Sequence, residues 1–370
     1  MTSRRPLVLL NGAPAELPVG DEILGAPEDG GGGYVPTANF RNLLHNGNFL
    51  FWDYASSLAA PSLSSSGFLA TRWRCYGFGN TTFTATRQNF AEGQTDVPHA
   101  RHYHRCVVTG GNQSVSGFLL KQAIEGVRTY AGKTVFLSFY ARADANKPIA
   151  VDFSQQMGTG GTPSANVNAI GAQQFALTTA WQRFTASIAL PSLAGKTLGT
   201  NEDDRLELVF WFDAGSVFAD RAAGLGNQSG TFDLADVQLE PGEVTEFEMR
   251  PIVVERCICD RFCQRYGANN ELLGTGLCIG SSEADIWFPY RAPMRVAPSL
   301  MAMYGTGYVL RVSSYEYTPT SLIYSADQRT ATGVRVRVGR SGLTTGQAAL
   351  LGLSATASPS SFVILSADWD

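Results

Sequence analysis

Residues 42–250 contain many short segments in which apolar and polar side chains alternate. In residues 134–142 and 206–213, one set of alternate positions is entirely apolar. Side chains of a β-strand point alternately to the two faces of a sheet, so this period predicts strands with one buried face. Turn-forming clusters separate the segments at 110–112, 158–163, 191–196 and 224–230. The pattern is therefore typical of a mainly β protein and predicts an antiparallel jelly-roll sandwich over residues 39–250.

A different period begins after Pro251. Apolar residues in 253–266 recur at the spacing of a helical stripe of about four turns, and Gly267 is a typical C-terminal stop. Further strand-like segments follow at 284–289, 308–312, 333–338 and 361–365. We therefore predict a short connecting helix in residues 251–268 and a second small β domain over residues 269–370.

The first 38 residues predict an N-terminal docking arm with a flexible linker. Asn11-Gly12 is the strongest two-residue hairpin turn signal, and a lone hairpin is marginal in water, so this one is expected to pair with another protein. Four consecutive glycines at 30–33 follow, which is typical of a flexible linker. A frayed terminus is the alternative. The apolar residues predicted to make the docking contact are Leu7, Val8, Leu9 and Leu10.

Composition and charge narrow the class of protein. The chain has 370 residues, of which 16% are charged, and a formal net charge of −4. This near-neutral balance gives no general attraction for nucleic acid or anionic membrane. No apolar run approaches the roughly 20 residues of a membrane-spanning helix, and no signal peptide is visible. We therefore expect no nucleic-acid partner and no membrane insertion.

Three of the six cysteines cluster at positions 257, 259 and 263 with the spacing C-x-C-x-x-x-C. Zinc ribbons instead use paired C-x-x-C spacings. We interpret the cysteines as buried or half-buried thiols of a protein assembled in a reducing cytosol, with a metal or redox role as the alternative.

The sequence contains no motif of nucleophilic, metalloprotease or phosphate-loop chemistry. His102, His104 and Cys106 would project from one face of a strand, where imidazole and thiolate could bind a transition metal. The alternative is a polar strand face with one core cysteine. Asp203-Asp204 and the glutamates around Pro241-Gly242 could be paired acids of a glycosidase, but we interpret them as solvated turn acids.

Aromatic side chains are the remaining signal, because a flat ring can stack on the C–H face of a sugar. Most aromatic residues of a β sandwich belong to its core. Trp211 lies opposite the apolar face of its strand, beside Glu207 and Asp213, and is the aromatic residue that we most readily place on a polar binding face. The residues predicted to bind carbohydrate are Trp211, Trp52 and Tyr76.

Several motifs, taken in order, resemble a bacteriophage fibre family. Residues 42–49 read N-L-L-H-N-G-N-F, followed by Arg72-Trp73, and residues 235–242, 247–251 and 263–266 read A-D-V-Q-L-E-P-G, F-E-M-R-P and C-Q-R-Y. The segments 288–299 and 6–12 are also similar to parts of phage fibres and of the head spikes of gene transfer agents. The resemblance implies a virion component whose jelly roll is similar to carbohydrate-binding modules.

In such modules the opening motif and the closing strand lie near each other, often around a structural calcium. The resemblance places Asp236 at the closing aspartate and Asn48 at a position that can offer an oxygen. The carboxylate that often follows the opening motif is missing, because Leu50 stands there. Calcium takes six to eight oxygens, so a Ca²⁺ site at Asn48 and Asp236 is an expectation with an incomplete ligand set.

These observations lead to one functional prediction with two alternatives. We predict a non-enzymatic tail fibre or head spike, located on the virion after assembly in the bacterial cytoplasm. Its N-terminus would attach to other virion proteins, and its β domains would bind bacterial surface polysaccharide. We expect a homo-oligomer, a trimer or alternatively a pentamer. The alternatives are a capsule-degrading glycoside hydrolase and a purely structural fibre module without sugar binding.

Overall fold

The computed structural model describes residues 7–10, 13–16, 40–55, 57–60, 66–98, 100–324, 328–358 and 360–369, with only the backbone at 7–10, 13–16, 57–60, 66 and 300. The chain divides into two compact units, Met1–Arg41 and Asn42–Asp370. In the first unit, strand β1 (Leu7–Leu10) pairs antiparallel with β2 (Ala13–Glu16), which confirms the predicted hairpin. Its docking role stays a prediction, and the linker prediction lies outside the described residues.

Two six-stranded antiparallel sheets form the jelly roll of the second unit. Sheet I contains, in spatial order, β11 (Val167–Leu177), β10 (Lys147–Gln156), β13 (Arg205–Ala214), β8 (Gly117–Glu125), β5 (Arg74–Phe78) and β4 (Ser66–Phe68). Sheet II contains β12 (Gln182–Ala189), β9 (Thr134–Ala143), β14 (Gly230–Pro241), β7 (His102–Thr109), β6 (Thr82–Asn89) and β3 (Ser57–Ala60). The mainly β sandwich predicted from the alternating pattern is confirmed.

The core between the two sheets is built from the apolar positions of these strands. Phe210 of sheet I packs edge-on against Phe139 of sheet II, with ring centroids 5.1 Å apart. Leu206, Leu208 and Phe212 share the inward face of β13 with Phe210 and are also buried. Because the strand period is two, the intervening residues of β13 must point to the other side of sheet I.

The second unit continues into two further antiparallel sheets. Helix α1 (Ile252–Asp260) leads into a three-stranded sheet with the order β15 (Cys263–Tyr266), β24 (Phe362–Ser366) and β18 (Leu300–Tyr304). A seven-stranded sheet has the order β20 (Tyr315–Tyr317), β19 (Tyr308–Val312), β23 (Ala348–Leu353), β16 (Leu272–Cys278), β17 (Glu283–Pro289), β22 (Gly333–Gly339) and β21 (Ser321–Ile323). These two sheets share a second hydrophobic core.

The predicted helix over 253–266 is therefore wrong in its second half. The helix ends at Asp260, and residues 263–266 pair with β24, with Cys263 opposite Ser366. The partner strand lies about a hundred residues further along the chain, so the local apolar period could not reveal it. The interpretation of the cysteines as buried or half-buried thiols is wrong at Cys257, which is exposed, while Cys259 is buried.

Arg72 joins the jelly roll to the C-terminal sheets. Its guanidinium forms an ion pair with Asp368, and both side chains are buried. The guanidinium carbon also lies 3.5 Å from the ring centre of Phe262, and one nitrogen donates to the carbonyl oxygen of Ala123 at 2.5 Å. Burial lowers the pKa of Arg72 to about 10. No helix in the described part of the chain is long and apolar enough to cross a membrane.

Candidate functional site

The face of sheet I that points away from sheet II carries a groove between aromatic and charged side chains. Its residues come from alternate positions of β5, β8 and β13, the positions that the core does not use. Register places Tyr76 beside Leu119, and Leu119 beside Trp211. The cavity has a volume of about 100 Å³. We call this the sheet I groove, and its lining residues are Tyr76, Phe78, Leu119, Lys121, Glu207, Val209 and Arg221.

The segment after β13 forms one side of the groove. A 3-10 turn (Ser216–Phe218) brings the Phe218 ring to 5.1 Å from the Trp211 ring, between centroids. Trp211 also donates from Nε1 to Asp152 Oδ1 at 2.9 Å. Arg221 forms an ion pair with the same carboxylate at 2.8 Å. The segment therefore covers Trp211 and leaves the neighbouring groove open.

An ion-pair network forms the charged part of the groove. Glu207 accepts from Lys121 Nζ at 3.0 Å and from Arg205 Nε at 2.8 Å. Burial alone would raise the pKa of Glu207, but the two cations outweigh it and the pKa is lowered. Burial lowers the pKa of Lys121, and the Glu207 charge opposes this in part. The carboxylate is thus ionised and held in one orientation, with donors beside it.

Tyr76 forms the aromatic part of the groove. Its ring stacks on Phe78 with centroids 5.7 Å apart and an angle of 14° between the planes. Arg74 lies 4.5 Å from the ring centre and the Lys121 ammonium 5.4 Å from it. Flat apolar rings beside fixed donors and acceptors suit a ligand that carries both C–H faces and hydroxyl groups.

The structure separates the three residues predicted to bind carbohydrate. Tyr76 lines the groove, half-buried. Trp211 is only 1% exposed, so the prediction of an exposed ring is wrong, because the segment after β13 covers it. Trp52 is 9% exposed and points into the core, where its ring stacks on His104 with centroids 5.6 Å apart. Sequence reasoning missed Lys121 as a site residue and treated Glu207 only as a neighbour of Trp211.

Asn48 lies in the turn of the opening motif, and Asp236 lies on β14. The backbone N–H of Val237 donates to the carbonyl oxygen of Gly47 at 2.9 Å, so the chain neighbours of Asn48 and Asp236 are bonded to each other. Asp236 lies at an irregularity of β14 with φ of 44°. Neither its carboxylate oxygens nor Asn48 Oδ1 have a hydrogen-bond partner among the described residues, although all three are buried. Burial raises the pKa of Asp236 to about 7.

Carboxylate and amide oxygens such as these are ligands that a hard cation such as calcium accepts. Within the described ranges, no group of three or more His, Cys, Asp or Glu side chains is placed to hold a metal. The remaining ligands would therefore be carbonyl or water oxygens rather than further carboxylates. The calcium site at Asn48 and Asp236 stays a prediction.

The histidine strand does not form a metal site in the described structure. His104 Nδ1 lies 3.3 Å from Cys106 Sγ, and both side chains are buried in the jelly-roll core. His102 instead bonds Asn89 Oδ1 at 2.8 Å, away from them. Burial lowers the pKa of His104 to about 3, so its ring is neutral at physiological pH. The strand therefore contributes the neutral imidazole of His104 to the jelly-roll core.

The turn acids have structural partners. Asp203 accepts from the backbone N–H and the hydroxyl of Thr159, each at 2.6 Å. Asp204 accepts from the backbone N–H of Val127 at 2.8 Å. Through these hydrogen bonds, Asp203 and Asp204 hold neighbouring loops in place.

Comparison with known proteins returns structural likeness alone. No family model matches the chain, and no curated protein matches it. The enzymatically active domain of tailspike protein 4 from bacteriophage CBA120 is 10% identical with a TM-score of 0.29, and the match covers 55% of this chain and 22% of that one. The chain thus matches less than a quarter of that tailspike domain's length.

Two smaller proteins are covered almost completely. A putative sugar-binding protein from Bacteroides thetaiotaomicron is 17% identical with a TM-score of 0.31, and the match covers 54% of this chain and all of that one. A family 11 carbohydrate-binding module from Clostridium thermocellum, solved with a mixed-linked tetrasaccharide, is 9% identical with a TM-score of 0.29, over 50% and 99% of the chains. Scores this low do not establish shared function, which must rest on the groove itself.

Proposed function

We propose that the protein is a non-enzymatic saccharide-binding protein whose jelly roll holds a glycan in the sheet I groove. One observation carries the proposal. The groove sets the aromatic pair Tyr76 and Phe78 beside the ion-paired carboxylate of Glu207. Sugars present apolar C–H faces and hydroxyl groups together, and this arrangement offers a partner to each.

The ion pairs explain why the groove can select a ligand. Lys121 and Arg205 hold Glu207 before any ligand arrives. A preorganised acceptor loses little conformational freedom on binding, so more of each hydrogen bond appears as affinity. A groove of this size holds a short stretch of sugar, and single-site binding is expected to be weak. Linked copies raise the effective concentration and turn weak binding into firm attachment.

We further propose that the protein is a virion fibre or spike that contacts polysaccharide on the bacterial surface. The fibre-like motifs and the N-terminal hairpin of β1 and β2 support this proposal. In it, Leu7–Leu10 contacts other virion proteins, the chain assembles in the bacterial cytoplasm, and identical copies form a trimer or a pentamer. Deleting residues 1–33 should leave soluble protein with unchanged thermal unfolding that no longer joins particles. Normal assembly of the deleted protein contradicts the docking role.

The groove is tested by Tyr76→Ala and Glu207→Gln in the full chain. Each variant is expected to weaken binding to a responsive glycan by about tenfold or more, because a stacked ring or a fixed acceptor is lost. Tyr315→Ala is the matched control, since Tyr315 is an exposed aromatic residue on the edge strand β20. The measurements are a glycan array, titration calorimetry and melting temperature.

Three outcomes decide among the functional classes. Binding that falls in both groove variants, with an unchanged melting temperature in Tyr76→Ala and a folded protein in Glu207→Gln, supports the saccharide-binding role. Release of new reducing ends from capsule by the wild-type chain supports a depolymerase instead. Wild-type affinity in both groove variants removes the sheet I groove as the binding site.

A further inference from the structure

The seven-stranded sheet carries an open tryptophan on one face. Trp287 lies on β17, where Ile286 and Phe288 on either side of it are buried in the second hydrophobic core. Trp287 itself points to the opposite face and is 45% exposed. All six tryptophans lie in the described part of the chain, and only Trp287 is exposed over more than a third of its surface.

A glycine of the neighbouring strand packs against the indole of Trp287. Gly333 of β22 pairs with Pro289, next to Trp287. A Cβ atom added to Gly333 would lie 2.4 Å from Trp287 Cζ2 and 2.8 Å from Cη2. The benzene half of the indole therefore rests on the bare backbone of a glycine, in space that any larger side chain would occupy. This contact fixes the position of the ring on the sheet, and 45% of the side chain stays open to solvent.

Polar side chains flank the ring on both sides. Thr275 of β16 and Arg335 of β22 are the cross-strand partners of Trp287, and both are exposed. Asp285 lies two residues earlier on the same face, where it accepts from Arg337 Nε at 2.9 Å and lies 3.6 Å from Arg335 Nη1. Adjacent strands are about 4.8 Å apart, so these groups lie within reach of a ligand on the indole.

We propose that the Trp287 face is a second saccharide-binding site, in which a pyranose ring stacks on the indole and its hydroxyl groups bond Thr275, Asp285 and Arg335. This site is separate from the sheet I groove and does not depend on it. The sheet supplies the platform, and the paired charges of Asp285 and Arg335 supply an acceptor and a donor. Glu283 also pairs with Arg337, at 3.9 Å, so the two carboxylates and two guanidinium groups of this face balance and the expected ligand is an uncharged sugar chain.

A protein partner is the other occupant to consider. Leu277 and Leu350 are 54% and 37% exposed on this face. However, the immediate neighbours of Trp287 are charged, whereas the buried centres of protein interfaces are depleted in charged residues. A protein covering Trp287 would also desolvate the Asp285 ion pairs, which costs free energy. A sugar leaves these groups partly hydrated and replaces water with hydroxyl groups, so the chemistry favours a saccharide.

Iodide quenching of tryptophan fluorescence tests the site in the full chain. The probes are soluble mixed-linked β-glucan, galactan, xylan and a purified bacterial capsular polysaccharide. Iodide reaches exposed indoles, so Trp287→Phe should remove most of the quenching. At least one polysaccharide is expected to reduce quenching in the wild-type chain and in Tyr76→Ala, but to have no such effect in Trp287→Phe.

Binding and assembly measurements complete the test. In a protein that already carries Tyr76→Ala, Trp287→Ala should weaken binding of the polysaccharide that reduces iodide quenching by about tenfold or more. Tyr315→Ala should leave this binding unchanged. If no polysaccharide protects Trp287 from iodide, the proposal is overturned, whatever the groove binds. A change of oligomeric state in Trp287→Ala, measured by solution mass, also overturns it and assigns the face to a second copy of the chain. Loss of all binding in Tyr76→Ala alone leaves the groove as the site and removes this one.

Discussion

At the scale of single residues, an aromatic side chain on the outer face of a sheet can bind a ligand or belong to the core. Which of the two applies depends on whether another segment packs over it. Trp211 lies on the outward face of β13, yet Phe218, Ala222 and Leu225 pack over it. Its indole nitrogen also satisfies the buried carboxylate of Asp152. The ring therefore packs under the segment after β13, and of the three predicted residues only Tyr76 lines the sheet I groove.

Trp211→Ala is consequently expected to destabilise the protein. Removing a fully buried indole leaves a cavity and an acceptor without its donor, which costs about 3–5 kcal/mol in the free energy of unfolding. Urea unfolding measures the loss, with Trp287→Ala as an exposed-tryptophan control that changes little. Unchanged stability together with lost glycan binding is the result that would restore Trp211 to the site.

His104 makes stability depend on pH. Its folded-state pKa of about 3 lies below the ordinary value of 6.5 because the ring is buried. Below pH 6.5 the unfolded chain takes up a proton that the folded chain does not, so stability falls as the pH drops from 6.5 towards 3. The slope is about 1.4 kcal/mol per pH unit for one histidine. Burial lowers the pKa of His45 in the same direction.

The free energy of unfolding between pH 7 and pH 5 measures this effect. His104→Gln is expected to reduce the slope by one proton, even if it lowers stability at every pH. His102→Gln is the comparison: burial and the charges of Arg87 and Arg101 lower the pKa of His102 too, but His102 is only partly buried, so its loss is expected to reduce the slope less. An unchanged slope in His104→Gln shows that His104 titrates normally in the folded protein.

Asp236 provides the test of the calcium prediction. Its two carboxylate oxygens are buried without a hydrogen-bond partner among the described residues, so a Ca²⁺ ion bound there should raise the melting temperature of the full chain by mass action. Asp236→Asn removes the charge with little change of shape and is expected to abolish the rise. Asp203→Asn is the control, since Asp203 holds a loop at a different place. Equal calcium responses in wild type and Asp236→Asn contradict the site.

At the scale of elements, helix α1 is fixed by one glutamate more than by its apolar stripe. Glu255 accepts from the backbone N–H of Asn46 through Oε1, at 2.5 Å, and from Arg250 Nη1 through Oε2, at 2.9 Å. It thereby ties the helix to the opening motif of the jelly roll. The helix itself is only nine residues long, below the length at which isolated helices are stable in water.

Glu255→Gln is expected to lower the free energy of unfolding by about 1–3 kcal/mol, because the buried Arg250 loses its ionised acceptor. Urea unfolding of the full chain measures the change. Glu243→Gln is the matched control, since Glu243 is exposed in the turn after β14. Equal stabilities of the two variants indicate that the helix is held by apolar contacts alone.

At the scale of the whole molecule, we expect Arg72 to determine whether residues 42–370 unfold in one transition. It bridges the jelly roll to Phe262, Asp368 and Trp369 of the C-terminal part. Removing one partner of a buried ion pair typically costs about 3–5 kcal/mol, because the other charge stays buried and unpaired. The coupling between the two hydrophobic cores should therefore depend strongly on this residue.

Calorimetry of Arg72→Met tests the coupling. We expect the single unfolding transition of the wild-type chain to divide into two, with the jelly roll and the C-terminal sheets melting separately. Arg261→Met is the control, because its ion pair with Glu125 is largely exposed. A single transition in Arg72→Met, merely shifted to lower temperature, contradicts this account.

The sequence by itself determined the fold class and most strand positions of the jelly roll. The reason is local, since strand alternation and turn residues act over a few neighbours, as in residues 134–142 and 206–213. The same local signals predicted the antiparallel pairing of β1 and β2. The sequence also predicted one residue of the sheet I groove, Tyr76, because an aromatic ring can stack on a sugar.

Only the tertiary structure decided what covers each face. Residues 263–266 became a strand because β24 pairs with them across about a hundred residues, and Trp211 became buried because the segment after β13 folds over it. Glu207 gained its orientation from Lys121 on another strand. These contacts depend on long-range pairing and on loop paths, which the period of apolar and polar positions along the chain does not encode.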